Sequence, residues 1–228
     1  MKQLALGVKL RADAVFGSFA AGSNAEIVAA LRRDASAPVW IWGASGTGKT
    51  HLLQAICAEV GATTAYFPMR RDLGLPAEAL QGFEARRVLC LDDAEAVAGD
   101  LAWERALFRL FNEAGEFGTR LVFAAHAAPR NIAWCLEDWK SRASACEVYQ
   151  LRELDEEGRI EALRLRAAQR GLQLPRETAE YLLKRVPRDL PSLLDMLDAL
   201  DDASLAAQRR LTIPFIRAAF EKSAETRP

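Results

Sequence analysis

The chain has no surplus of charge of either sign: 30 lysines and arginines stand against 31 aspartates and glutamates, a formal net charge of −1. It therefore has no global positive field to hold it on nucleic acid, and any such contact must come from a local patch or through a partner. Cysteine is scarce. The four present, Cys57, Cys90, Cys135 and Cys146, are widely spaced, form no C-x-x-C pair and sit mostly in apolar runs, a pattern of buried reduced thiols rather than a disulfide framework. No apolar run approaches the ~20 residues needed to cross a bilayer. The N-terminus lacks a long apolar stretch with a small-residue cleavage site, so the expected compartment is the cytoplasm, with no membrane contact. Repeats of fixed period and low-complexity tracts are absent too. With 50% of residues apolar and 27% charged, the composition is that of a folded globular protein.

What is there reads as two unequal lobes behind a short arm. Residues 1–11 alternate apolar and polar and predict an extended arm. Ser23 or Asn24 can cap a helix whose apolar positions Ile27, Val28 and Leu31 fall at helical spacing and which ends before Pro38. Short apolar runs then recur at Val39 to Trp42, Thr63 to Phe67, Val88 to Leu91, Leu121 to Ala125 and Val148 to Leu151. Between them lie helical patterns such as Trp103 to Phe117. Strands alternating with helices predict an α/β domain with a parallel five-stranded sheet over residues 12–152. After Leu151 the strand pattern stops. Amphipathic patterns at Glu156 to Arg170, Glu177 to Arg185, Leu190 to Leu205 and Pro214 to Glu221 predict a small all-helical lid over 153–228.

Directly after the first apolar run stands Gly43-Ala44-Ser45-Gly46-Thr47-Gly48-Lys49-Thr50, which fits G-x-x-x-x-G-K-[ST] in full and precedes an amphipathic helix from His51 to Val60. The chemistry explains each position. Glycines let the backbone turn its N–H groups around phosphate oxygens, and the helix N-terminus adds its dipole. Lys49 reaches the outer phosphates, and Thr50 offers a hydroxyl to magnesium. The expected ligand is a nucleoside di- or triphosphate with Mg2+.

The run Arg87 to Leu91 ends in Asp92-Asp93, which puts two carboxylates at the carboxyl edge of the sheet, where ligands of open α/β folds bind. Asp92 is the expected magnesium-shell acid. Asp93 stands where it can orient or deprotonate the attacking water.

The loop, the Asp92-Asp93 strand, Arg142 and the helical lid together resemble the AAA+ family of P-loop NTPases, and within it the DnaA replication-initiator branch. The segment Gly48-Lys49-Thr50-His51-Leu52-Leu53 carries the likeness. So do Asp92-Asp93 followed by Ala94 to Gly99, and the stretch from Ala207 through Arg209-Arg210-Leu211 to Phe215. By that resemblance, His51 belongs to the nucleotide site with the loop, Ser141-Arg142 holds the family's arginine-finger position, and Gln3, Leu4 and Leu6 match the short motif that docks on the sliding clamp, with Val8 beyond them as a further docking residue. No segment after the lid resembles the initiator's DNA-binding domain. Arm plus ATPase domain is similar to the branch's regulatory inactivators. The resemblance implies partners in the DnaA initiator and the beta subunit of the DNA polymerase III sliding clamp, with DNA reached only through the clamp, and allows a homo-oligomer. It implies an arginine finger supplied in trans that promotes hydrolysis of initiator-bound ATP and so restrains replication initiation. The other reading is an AAA+ ATPase that loads a helicase or remodels DNA.

The sequence departs from the family in three places. Where the family's phosphate-sensing polar residue follows the fourth strand, only His126 is near, as a phosphate contact or a solvated loop residue. Pro191 takes the lid position of an arginine, with Arg188 one turn earlier as the remaining cation for the nucleotide. This predicts at most weak intrinsic ATPase activity. In the clamp motif, Gly7-Val8 replaces a proline or a bulkier apolar pair. Phe16, Phe19 and Asn24 precede the first strand, where the family wraps its adenine, and serve either the base or the core. Trp103, Phe108 and Phe111 fall at helical spacing and predict core packing. Trp134 and Trp139, near Arg142, are buried or partner-facing.

Overall fold

The computed structural model describes residues 11, 13–187, 189–207 and 211–218. Two compact units divide the chain. The first takes residues up to Gly17 and Ser23–Glu153, and the second takes Ser18–Gly22 with the chain from Leu154 onward.

In the first unit, strands β1 (Val39–Trp42), β2 (Thr64–Pro68), β3 (Val88–Asp92), β4 (Arg120–Ala125) and β5 (Glu147–Gln150) form one sheet in the order β2-β3-β4-β1-β5. All four strand pairs are parallel. The central strands β3 and β4 are buried at every position, as expected where helices cover both faces, and this is why their sequences read as unbroken apolar runs. The helices of this unit are α1 (Ala25–Arg32), α2 (Lys49–Val60), α3 (Leu101–Phe117) and α4 (Glu137–Ser144). Asp100 caps α3 by accepting from the N–H groups of Ala102 and Trp103, and Gly118, at φ 71°, ends it in the left-handed region that glycine adopts without strain.

The start of α1 differs from the expected cap. Asn24 sits at the N-cap position but makes no capping bond. Instead its amide clamps the backbone of Arg152: Nδ2 donates to the Arg152 carbonyl at 2.9 Å, and Oδ1 accepts from the Arg152 N–H at 2.8 Å. With 1% of its surface exposed, Asn24 satisfies a backbone stretch just past β5 that no strand partner serves. The far end of α1 is held by Arg120, whose guanidinium donates to the carbonyls of Ala30, Leu31 and Arg33.

The core between β4 and α4 is aromatic. Trp40 stacks on Phe123 at 5.2 Å between centroids, and Trp134 and Trp139 meet edge to face at 5.8 Å. Trp139 also packs on Phe123 and Phe111. Trp134 and Trp139 are thus core residues, 7% and 0% exposed.

The second unit contains α5 (Glu156–Gln169), α6 (Arg176–Leu183) and α7 (Leu190–Ala207), with residues 213–218 also helical. Its own core includes Leu163, Leu182, Leu197 and Ile216. Asp155 caps α5 by accepting from the Gly158 N–H at 2.8 Å. Half-buried ion pairs tie α5 and its C-cap residue Arg170 to α7: Arg166 meets Asp198 at 2.6 Å, and Arg170 meets Asp201 at 2.7 Å.

Candidate nucleotide-binding site

The loop between β1 and α2 is shaped by two glycines with different reasons. Gly48 precedes α2 at φ 96°, a conformation that a side chain would strain. At Gly43 the constraint is space: a Cβ there would lie 2.4 Å from the backbone oxygen of Leu151, so only glycine lets the loop leave β1 beside the end of β5. Between them Thr47 turns inward, its hydroxyl donating to the Ala44 carbonyl at 2.9 Å.

Lys49, 7% exposed, points back under the loop and donates from Nζ to the carbonyls of Gly43 and Ala44, each at 2.8 Å. Burial pulls its pKa down, opposed by the charges of Glu95, Asp92 and Asp93. Beside it, Thr50 donates from Oγ1 to Asp92 Oδ2 at 2.6 Å. The sheet positions this pair, since Asp92 is the last residue of β3 and only 2% exposed. A hydroxyl and a carboxylate meeting this closely are hard oxygen donors of the kind Mg2+ takes with phosphate oxygens and water, so Thr50 and Asp92 fit that ion.

A third group here had no signal in the sequence motifs. Tyr66, third residue of β2, donates its phenol to Asp92 Oδ2 at 2.8 Å. Burial and the Asp92 charge push the phenol pKa well up, so Tyr66 stays a donor throughout the physiological range. It was legible only once β2 and β3 were paired in register, Pro68 opposite Asp92 and Tyr66 two residues before it.

Asp93 follows at φ 56°, the one non-glycine residue at positive φ among the described residues, and begins a short turn of 3-10 helix over Ala94–Val97. Aspartate tolerates this backbone better than most residues. Its pKa is raised, first by burial and then by the charges of Asp92 and Glu95. Glu95 contacts the ring Nδ1 of His126, and one ligand atom each of Asp93, Glu95 and His126 lie within 4.8 Å of one another. His126 thus stands at this edge of the sheet in contact with a carboxylate.

Other candidate residues lie elsewhere. The His51 ring contacts the Val15 carbonyl at 3.0 Å, so its side chain faces the N-terminal segment while only its backbone belongs to the helix that starts at the loop. Asn24 is committed to Arg152, which removes its amide from base recognition. Arg32 lies over the ring of Phe16 at 5.4 Å, and Phe19 is half-buried. Arg142 is exposed on α4, its guanidinium 6.0 Å from the ring centroid of Phe108. Pro191 is the second residue of α7, an early helical position where proline removes no needed donor. Arg188 and the clamp-like residues Gln3, Leu4, Leu6 and Val8 lie outside the described residues.

The loop, the threonine–aspartate pair and the five-stranded parallel sheet followed by a helical lid define an AAA+ P-loop protein. Residues 155–220 match the family model described as Hda, lid domain, and residues 12–68 match that of the bacterial DnaA ATPase domain. By these two matches the chain is similar to Hda in its lid and to DnaA in the first part of its ATPase domain. Among solved structures, it resembles domain III of the Thermotoga maritima replication initiation protein DnaA, with TM-score 0.78 and 22% identity over 94% of this chain and 98% of that one. AMPPCP-bound DnaA from Aquifex aeolicus aligns at TM-score 0.67 and 21% identity, over 85% of this chain and 67% of that one. The Thermotoga maritima RuvB branch migration motor aligns at TM-score 0.66 and 16% identity, over 86% and 67%. At these identities the likeness is one of fold. No helix among the described residues is long and apolar enough to cross a membrane.

Proposed function

We propose that this protein binds ADP or ATP with Mg2+ at the loop Gly43 to Thr50 and, from the DNA-loaded sliding clamp, stimulates hydrolysis of ATP held by the DnaA initiator, acting as a negative regulator of replication initiation in the cytoplasm. The observation that carries this reading is the match of residues 155–220 to the Hda lid model. Two features of the first unit support it.

The loop is built for phosphate. Lys49 and the backbone N–H groups of the loop bind the phosphates, while Thr50 and Asp92 hold the metal, with Tyr66 fixing the carboxylate. Magnesium, when bound, neutralises phosphate charge and orients the chain of phosphates. Asp93 is the candidate to orient water on this chain's own nucleotide. Pro191 supplies no cation there, which fits slow intrinsic turnover.

Arg142 is built for a neighbour. On α4 it is exposed, and among the described residues no carboxylate lies within ion-pair distance of it, so its charge is available to another molecule. A guanidinium set beside a neighbour's γ-phosphate stabilises transition-state charge, an effect of roughly 10³- to 10⁵-fold in rate where it has been measured. The neighbour is the initiator, although a second copy of this chain would present the same surfaces. Gln3, Leu4, Leu6 and Val8 dock on the clamp beta subunit, so that DNA is reached indirectly.

The test is hydrolysis of initiator-bound ATP in the presence of clamp on DNA, with no added protein, with the full chain, and with a chain lacking residues 1–8. Acceleration that requires residues 1–8 is the expected result. Absence of acceleration by the full chain would sink the proposal and favour a loader or remodelling ATPase.

A further inference from the structure

We infer that Glu104 and Phe108, one turn apart on α3, are positioning residues for Arg142. The inference rests on the trans-acting role proposed above, and its geometry stands apart from the nucleotide site.

Glu104 is completely buried, yet it is not paired with a cation among the described residues. Its carboxylate accepts from three backbone N–H groups on two loops. Oε1 takes Gly99 at 2.8 Å, Oε2 takes Leu136 at 2.7 Å, and both oxygens take Cys135, at 3.1 and 2.9 Å. Gly99 lies just beyond the turn that leaves Asp93, and Leu136 is the N-cap residue of α4, which has no side-chain cap of its own. A buried charge held by N–H donors and facing a helix N-terminus is well stabilised, and these bonds fix where α4 begins.

Four residues on, Phe108 projects from the same side of α3, as the i, i+4 spacing requires. Its ring lies under the Arg142 guanidinium at 6.0 Å, within range of cation–π attraction. Three residues further, Phe111 meets Trp139 of α4 edge to face at 6.2 Å. One stripe of α3 thus sets the start of α4, anchors its middle and supports the arginine near its end. Holding a long side chain near one arrangement before the partner arrives lowers the entropy lost when it inserts.

The experiment measures the maximal stimulated rate of initiator-bound ATP hydrolysis and the protein concentration giving half of it, for wild type, Arg142→Ala, Glu104→Gln, Phe108→Leu and Phe108→Tyr. Phe108→Leu keeps the apolar bulk and loses the ring face. It should lower the maximal rate about two- to five-fold, the range of an exposed cation–π contact, without raising the half-maximal concentration. Phe108→Tyr should restore the rate, which a merely structural role would not require. Glu104→Gln places an N–H donor among N–H donors, so α4 should shift at its start and the rate should fall on the order of tenfold to a hundredfold, as for small misplacements of a catalytic group. Normal rates for Phe108→Leu and Glu104→Gln beside an inactive Arg142→Ala would overturn the positioning role alone. If wild type itself fails to stimulate, the function proposed above is wrong, and the Arg142 Nε–H resonance still decides the geometry. That resonance should carry a ring-current shift in wild type and Phe108→Tyr that Phe108→Leu abolishes. An unshifted wild-type resonance would overturn it.

Discussion

Replacing Asn24 by alanine should destabilise the first unit by about 2–3 kcal/mol. Two hydrogen bonds to Arg152 disappear, at 2.9 and 2.8 Å, and each contributes on the order of 1 kcal/mol net. The Arg152 N–H and carbonyl would lose their Asn24 partners in a site whose protein side is 1% exposed, and only partial access of water offsets their desolvation. For a chain of this size the loss corresponds to roughly 5–10 °C in Tm, read by circular dichroism or by the urea midpoint. Asn24→Asp is the sharper probe: it retains an acceptor for the Arg152 N–H but sets a carboxylate oxygen against the Arg152 carbonyl, so it should cost at least as much as alanine despite being nearly isosteric. A loss below about 0.5 kcal/mol for alanine, or an aspartate variant as stable as wild type, would refute the clamp.

Three further outcomes are expected. Lys49→Ala should abolish the thermal stabilisation by ADP or ATP, which at 100 times the dissociation constant amounts to roughly 2.7 kcal/mol in a protein that binds; a persistent shift would take the loop out of the site. Asp93→Asn should stabilise the nucleotide-free protein at neutral pH. The folded-state pKa of Asp93 is raised, so the folded chain holds that proton more firmly than the unfolded chain, and stability is lost as pH rises through the raised value. The gain seen in urea midpoints should therefore shrink as pH falls toward the ordinary aspartate range; a gain that grows on acidification would contradict the sign. Trp139→Ala should cost about 3–5 kcal/mol, the usual loss for a large aromatic removed from a packed core, checked by denaturation followed through the remaining tryptophans.

The sheet was legible because its strands are short apolar runs bounded by proline, glycine and charge, and the predicted runs fall within a residue of β1 to β5. The loop and the acid beside it were legible for a different reason: close approach and positive φ require glycine at Gly43 and Gly48, and Thr50 and Asp92, which the sequence offers as candidate metal donors, do meet in a hydrogen bond. Tyr66 escaped notice because a tyrosine in a strand is ordinary; its role appears only when β2 and β3 lie side by side. Asn24 misled for the opposite reason, since it occupies a capping position while its amide serves residue 152, far along the chain. Nothing in the local pattern around Glu104 marks a buried carboxylate that accepts from Gly99 nearby and from Cys135 and Leu136, 31 and 32 residues further on.

Helix α4 reaches the rest of its unit through few side chains, with only Trp139 and Ala143 buried among its eight residues. Its outer face, from Glu137 and Asp138 through Lys140 and Ser141 to Arg142, is therefore nearly free of folding constraint, and surface exchanges there change stability by only a few tenths of a kcal/mol. A helix face arranged in this way can change its chemistry without renegotiating how the unit folds. Transplanting that face between related AAA+ domains should be tolerated wherever the tryptophan and the acid beneath the helix start are kept.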